Sequence, residues 1–251
     1  MIKIYIIFPD ICLIMKTPET HSLFLPDEKI LTFLAGLSEL PDLRWETTPK
    51  KHSWSVIDHE RAPILDIRLP LTFSPISENT LLSEYLDELD DIHPPYLIAL
   101  IQAGAAALGY AEEGEIYLHK NIKKYMKRHK RGKAQISYLN SKGKSKAGSR
   151  IRLANTVSFF EDINEKLTEW EEDYEPRRIM YSCSAQLWGL LFKSNVPPPF
   201  EKKDERLIKI PKDVHIPSLE ELMAVNKFVK KGKLTFHGSH PELEELVGLE
   251  A

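Results

Sequence analysis

The sequence predicts an α/β protein built on a mixed sheet of ribonuclease H-like order, with an N-terminal extension before it. Three observations lead to that class. A continuous apolar run, Tyr96 to Gln102, follows Pro94 and Pro95 and reads as a central strand buried on both faces. Leu108 to Glu112 and Glu115 to Tyr125 read as two further strands, joined by a tight turn at Glu113-Gly114. After a polar loop, helical and extended patterns then alternate as far as Val229.

The extension comes first in the chain. The apolar start, MIKIYIIFPDICLIM, is interrupted by Pro9 and Asp10; it is too short for a membrane span, lacks a small-residue cleavage site, and reads as a buried strand with its turn, a secretory leader being the competing reading. Residues 27 to 40 predict a short amphipathic helix, with Ile30, Leu34 and Leu37 at helical spacing and Pro41 behind it. Residues 54 to 72 look extended, with Ile64, Ile67 and Leu69 as inward positions. Residues 78 to 90 predict another short helix, with Leu82, Tyr85, Leu86 and Leu89 on one side.

Past the three strands, Lys127 to Gly148 is a polar loop containing glycines. A long helix follows, roughly Ser149 to Asp173, with Ile151, Ala154, Val157, Phe160, Ile163, Leu167 and Trp170 three or four apart as one apolar stripe. Arg178 to Ser182 reads as a strand, Ala185 to Phe192 as a short helix, and Leu207 to Ile210 as one more strand. Ser218 to Val229 reads as a helix opened by a capping box of Ser218 and Glu221. The expected organisation is an extension over 1–92, a core domain over 93–235, and an acidic, loosely held tail over 236–251.

The chain has 251 residues, of which 42% are hydrophobic, enough to sustain a packed core. Cys12 and Cys183 are the only cysteines, so neither a disulfide framework nor a zinc site is indicated, and this usage fits a reducing cytoplasm. The formal charge of -3 conceals an asymmetry. Thirteen lysines and arginines and not one carboxylate lie between His119 and Arg152, leaving 21 basic residues against 37 acidic ones elsewhere. A block of one sign inside an acidic protein marks a polyanionic partner.

That segment reads HKNIKKYMKRHKRGKAQISYLNSKGKSKAGSRIR. Lys120, Lys123, Lys124, Lys127, Arg128, Lys130 and Arg131 stand on one side of the loop, and Lys142, Lys144, Lys146, Arg150 and Arg152 on the other. Cations so placed neutralise RNA phosphates and release counterions, which makes affinity fall with salt. Gly132, Gly143 and Gly148 allow close backbone approach, and Tyr125 and Tyr138 offer rings for stacking on bases. A solvated hairpin tip is the plain alternative, but thirteen like charges repel one another unless an anion is brought to them. Gln135 is a neutral amide amid these cations. It has no proton to exchange near neutral pH, yet its amide can orient a water beside a bond that is already activated.

These residues resemble the Vms-like release-factor (VLRF) family, relatives of the central domain of eukaryotic and archaeal class-1 termination factors. His119-Lys120 matches the family's strand start, Lys124-Tyr125 its Arg-Tyr pair, and Gly132-Lys133-Ala134-Gln135 its G-x-x-Q loop. Lys146-Ala147-Gly148-Ser149, Ile151-Arg152 and Asn155 match the stretch beyond. Lys133 stands where the family has a second glycine, Leu153, Ala154 and Thr156 replace its arginine, tyrosine and glutamate, and Lys124 keeps a charge without the guanidinium fork.

The resemblance implies the release-factor central-domain fold in a bacterial stand-alone member that rescues stalled ribosomes. It implies Gln135 as the catalytic residue, with Gly132, Lys133, Ala134 and Gly148 supporting its loop, and no metal or cofactor. The large ribosomal subunit and peptidyl-tRNA are the implied partners, with neither membrane nor DNA. The reaction it implies is hydrolysis of the peptidyl-tRNA ester, with endonucleolytic cleavage near the tRNA 3′ end as the family's other chemistry. A non-catalytic RNA-binding module, or a module for an acidic protein, are the competing readings.

The remaining residues argue against other classes. A two-metal nuclease needs carboxylates on its first strands, and Tyr96 to Gln102 has none. There is no Walker loop, no G-x-G-x-x-G after a strand and no nucleophile elbow around Gly189. His119 and His129 read as phosphate contacts or structural groups rather than as bases.

Overall fold

The computed structural model describes residues 7–8, 11–17, 20–40, 43–78, 80–126 and 147–248, with side chains described at 20–40, 43–78, 80–126 and 150–248. Two compact units emerge: residues 1–96, 112–115 and 224–251 in the first, and 97–111 and 116–223 in the second. Among the described residues no helix is long and apolar enough to cross a membrane.

The first unit is a seven-stranded sheet carrying a helix. Its strands are β1 (Ile7–Phe8), β2 (Ile11–Thr17), β3 (Thr20–Pro26), β4 (Arg44–Thr48), β5 (Ser53–Ile57), β6 (Pro63–Arg68) and β12 (Lys231–His237). They lie in the order β1-β2-β3-β12-β6-β5-β4. β12 runs antiparallel to both neighbours, with Leu234 opposite Leu23 on one side and Ile67 on the other. Alternation turns Leu23, Leu25, Trp54, Val56, Leu65, Ile67, Leu234 and Phe236 inward, where they pack with Ile30, Phe33 and Leu34 of α1 (Asp27–Ser38). Gly232 lies beneath this helix, and a Cβ there would stand 2.4 Å from Ile30 Cγ1. A second helix, α2 (Leu82–Asp87), adds Leu82 and Tyr85 to the core.

Here the structure differs from the sequence expectation. The extended stretch 54 to 72 contains the antiparallel pair β5 and β6, and Thr20–Pro26, Arg44–Thr48 and Lys231–His237 are strands the periodicity did not reveal. The expected loose tail begins inside β12 and continues into α6 (Pro241–Glu245), where Leu243 is buried in the core at 6% exposure.

The second unit holds a five-stranded sheet in the order β11-β10-β7-β8-β9. Its strands are β7 (Tyr96–Gln102), β8 (Ala105–Glu112), β9 (Glu115–Lys123), β10 (Arg178–Cys183) and β11 (Leu207–Lys209). Three hairpin-linked strands with the fourth and fifth added on the far side of the first make the ribonuclease H-like order. β10 and β11 are parallel, as a crossover connection requires. Glu113 (φ 51°) and Gly114 (φ 79°) both take the left-handed conformation, as a two-residue hairpin turn demands. The helix α3 (Ala147–Tyr174) contributes Phe159, Phe160, Ile163, Leu167 and Trp170 to a core with Leu97, Ala99, Ile101 and Leu108. The start of its expected stripe is not buried: Ile151 is 57% exposed and Val157 39%, with Ala154 exposed as well. The helix α4 (Ala185–Leu191) follows, and then α5 (Leu219–Val229), whose residues from 224 on belong to the first unit. Ser218 caps α5 by accepting the Glu221 N–H at 3.2 Å, while the Glu221 carboxylate turns instead to Lys212 at 2.9 Å.

Candidate nucleic-acid interface

β9 carries the chain out of the sheet toward the cationic segment, and α3 brings it back. His119, Lys120, Asn121 and Lys123 are exposed on β9, and Tyr125, just past its end, is 50% exposed. Gly148 lies in the first turn of α3, which has no acidic side chain in that turn. Arg150 is exposed on the same turn and Arg152 half-buried on the next. Gln135, Gly132, Lys133 and Ala134 lie outside the described residues, as do Lys127, Arg128, Lys130, Arg131, Lys142, Lys144 and Lys146.

What the structure describes is how the two ends of that segment are fastened. The Lys124 ammonium stands 2.8 Å from Asp162 Oδ2 and donates to Ser158 Oγ at 2.9 Å, both on α3. The Asn155 amide, on the outer part of the same helix, donates to the Tyr125 carbonyl at 3.0 Å. The Lys124 N–H in turn donates to the Gly104 carbonyl at 3.0 Å. Gly104 has φ +85°, and a Cβ on it would stand 2.7 Å from the Lys124 carbonyl oxygen, so the turn after β7 must be bare for the strand to pass. Outgoing strand, hairpin turn and returning helix are thereby tied together within a few residues.

This alters the part expected of Lys124. Its charge is directed at Asp162, so it acts on the loop stem; Lys120, Lys123, Arg150 and Arg152 have no carboxylate within ion-pair distance among the described residues. The pair is about a third exposed, so its net worth is about 1 kcal/mol or less. Sequence reasoning noted Asn155 but gave it no task, and missed Ser158, Asp162 and Gly104. The i, i+4 spacing of Ser158 and Asp162 on the helix opposite a lysine was the available signal for the clamp.

No group of three His, Cys, Asp or Glu side chains is placed to hold a metal ion among the described residues. Burial pushes the Cys183 thiol up to about 12, which favours the protonated thiol. Tyr181 stacks on Trp188 at 4.0 Å, and burial raises its phenol as well.

Strand order and a basic stretch of sequence between the third strand and the long helix define an α/β domain of ribonuclease H-like order. A family model described as Bacteroidetes VLRF1 release factor (bVLRF1) matches residues 96–236, and the chain belongs to that family. Two solved structures are similar to it. One, described as the Vms1 mitochondrial localization core, is 14% identical, with 79% of this chain and 89% of that one covered at a TM-score of 0.43. The other, Pelota from Archaeoglobus fulgidus, is 14% identical, with 86% and 66% covered at a TM-score of 0.29. No curated protein matches the chain.

Proposed function

We propose that this protein rescues stalled ribosomes in the cytoplasm by hydrolysing peptidyl-tRNA on the large subunit. In this reading the basic segment enters the peptidyl transferase centre and Gln135 orients a water toward the ester carbon. The ester is already activated, so the glutamine needs to position rather than to exchange a proton. Gly132, Lys133 and Ala134 shape the loop, and the flanking lysines and arginines hold RNA phosphates. Membership of a release-factor family supports the reading. The observation that carries it is the double fastening of the loop stem, Lys124 to Asp162 and Asn155 to Tyr125, which gives a charged loop a fixed root.

Cleavage near the tRNA 3′ end is less well supported. It needs positive charge at phosphorus, and Lys124, which stands where the family has an arginine, is engaged with Asp162. The deciding experiment incubates the full chain with stalled large subunits carrying labelled peptidyl-tRNA. Peptide freed with an intact tRNA end is expected. Gln135→Ala should lower the release rate about 100-fold or more, the scale of losing one transition-state contact, with subunit binding kept. Peptide still bearing nucleotides would mean tRNA cleavage, and binding without release would mean a non-catalytic module.

A further inference from the structure

One face of β9 has a composition that the fold does not use. Alternation along a strand puts Tyr117, His119, Asn121 and Lys123 on the same face, about 6.6–6.8 Å apart in succession. All four are exposed, and Tyr117 is 67% so, a large ring left in water. β9 is the terminal strand of its sheet among the described residues. No carboxylate occurs from Ile116 to Met126; Glu115, which opens the same face by alternation, is paired with Lys230 at 2.9 Å. Beyond Glu115 the face is aromatic and hydrogen-bonding over roughly 20 Å and ends in the cation of Lys123, a few residues before the basic loop in sequence.

We propose that this face is a track for single-stranded RNA, with a base stacked on Tyr117 and backbone phosphates taken by Lys123 and the polar side chains beside it. Stacking on an exposed ring suits any base, and lysine neutralises the backbone, so the track tolerates any sequence. A protein strand could pair with the same edge through its backbone, but backbone pairing makes no use of the exposed ring and lysine that follow Glu115 on this face. The proposal rests on the RNA-binding part of the proposed function and requires neither Gln135 nor hydrolysis.

The test uses the full chain and fluorescence anisotropy with a labelled single-stranded RNA oligonucleotide and a blunt RNA duplex. Tyr117→Ala should weaken binding of the single strand roughly five- to hundredfold and leave the duplex unchanged. Tyr117→Trp should keep the affinity. Lys123→Ala should lower the salt slope of single-strand binding by about 0.7. Because Tyr117 is exposed, its replacement leaves the packing intact, which circular dichroism checks. If Tyr117→Ala binds like the parent while Lys130→Ala with Arg131→Ala weakens binding, the track is overturned and the loop reading stands. If the parent protein binds neither RNA, both fall together.

Discussion

Lys124 lies where a nucleic-acid contact is expected and spends its charge on Asp162 instead, so two roles for one ammonium make opposite predictions. As a clamp, it is disabled equally by Lys124→Met and by Asp162→Asn. Each variant is expected to lose about 1 kcal/mol or less of stability, and both are expected to slow peptide release by a similar factor. Were the ammonium a phosphate contact, Asp162→Asn would leave RNA affinity unchanged or tighten it, whereas Lys124→Met would weaken it. Salt titrations of the two variants side by side separate the cases. Of this local chemistry the sequence made plain the charge and the aromatic ring at Tyr125. It did not show the partner, because a residue 38 positions away on a helix becomes a neighbour only once helix and sheet are packed.

At the scale of elements, legibility followed the strength of the local pattern. β7 was readable to the residue because a strand buried on both faces is apolar throughout, and the Glu113-Gly114 turn because its backbone needs left-handed residues. β12 alternates Gly232, Leu234 and Phe236 inward, but it begins straight after α5 and its first inward position is a glycine, which erased the signal. That glycine is a close contact between α1 and the sheet. Gly232→Ala would set a Cβ 2.4 Å from Ile30 Cγ1 and 3.2 Å from the Arg68 carbonyl, so a destabilisation of about 1–3 kcal/mol is expected in urea unfolding. Ile30→Ala should cost less in the Gly232→Ala background than in the parent, because there it also relieves the clash. The exposed start of α3 escaped sequence reading for the converse reason: a helical stripe gives periodicity without saying how far along the helix the sheet reaches.

For the whole molecule, the division into two units cuts across the order of the chain. The residue ranges 1–92 and 93–235 were a natural sequence-based division, but the first unit is completed by residues 224 onward. β12 lies between β3 and β6 and pairs with both, so a chain ending at Lys230 would leave two unpaired strand edges beside Leu23, Leu25, Leu65 and Ile67. Limited proteolysis of that truncated chain is expected to degrade the first unit while fragments from 97–223 persist; equal resistance of both would contradict the pairing. The same placement has a kinetic consequence. As the polypeptide is made from its N-terminus, β3 and β6 emerge early and wait for a strand encoded about 160 residues after β6. The second unit is complete in the chain first, so the unit that carries the cationic segment can mature before the one that precedes it in the message, and a nascent product cut short late in translation would carry that segment without a completed companion.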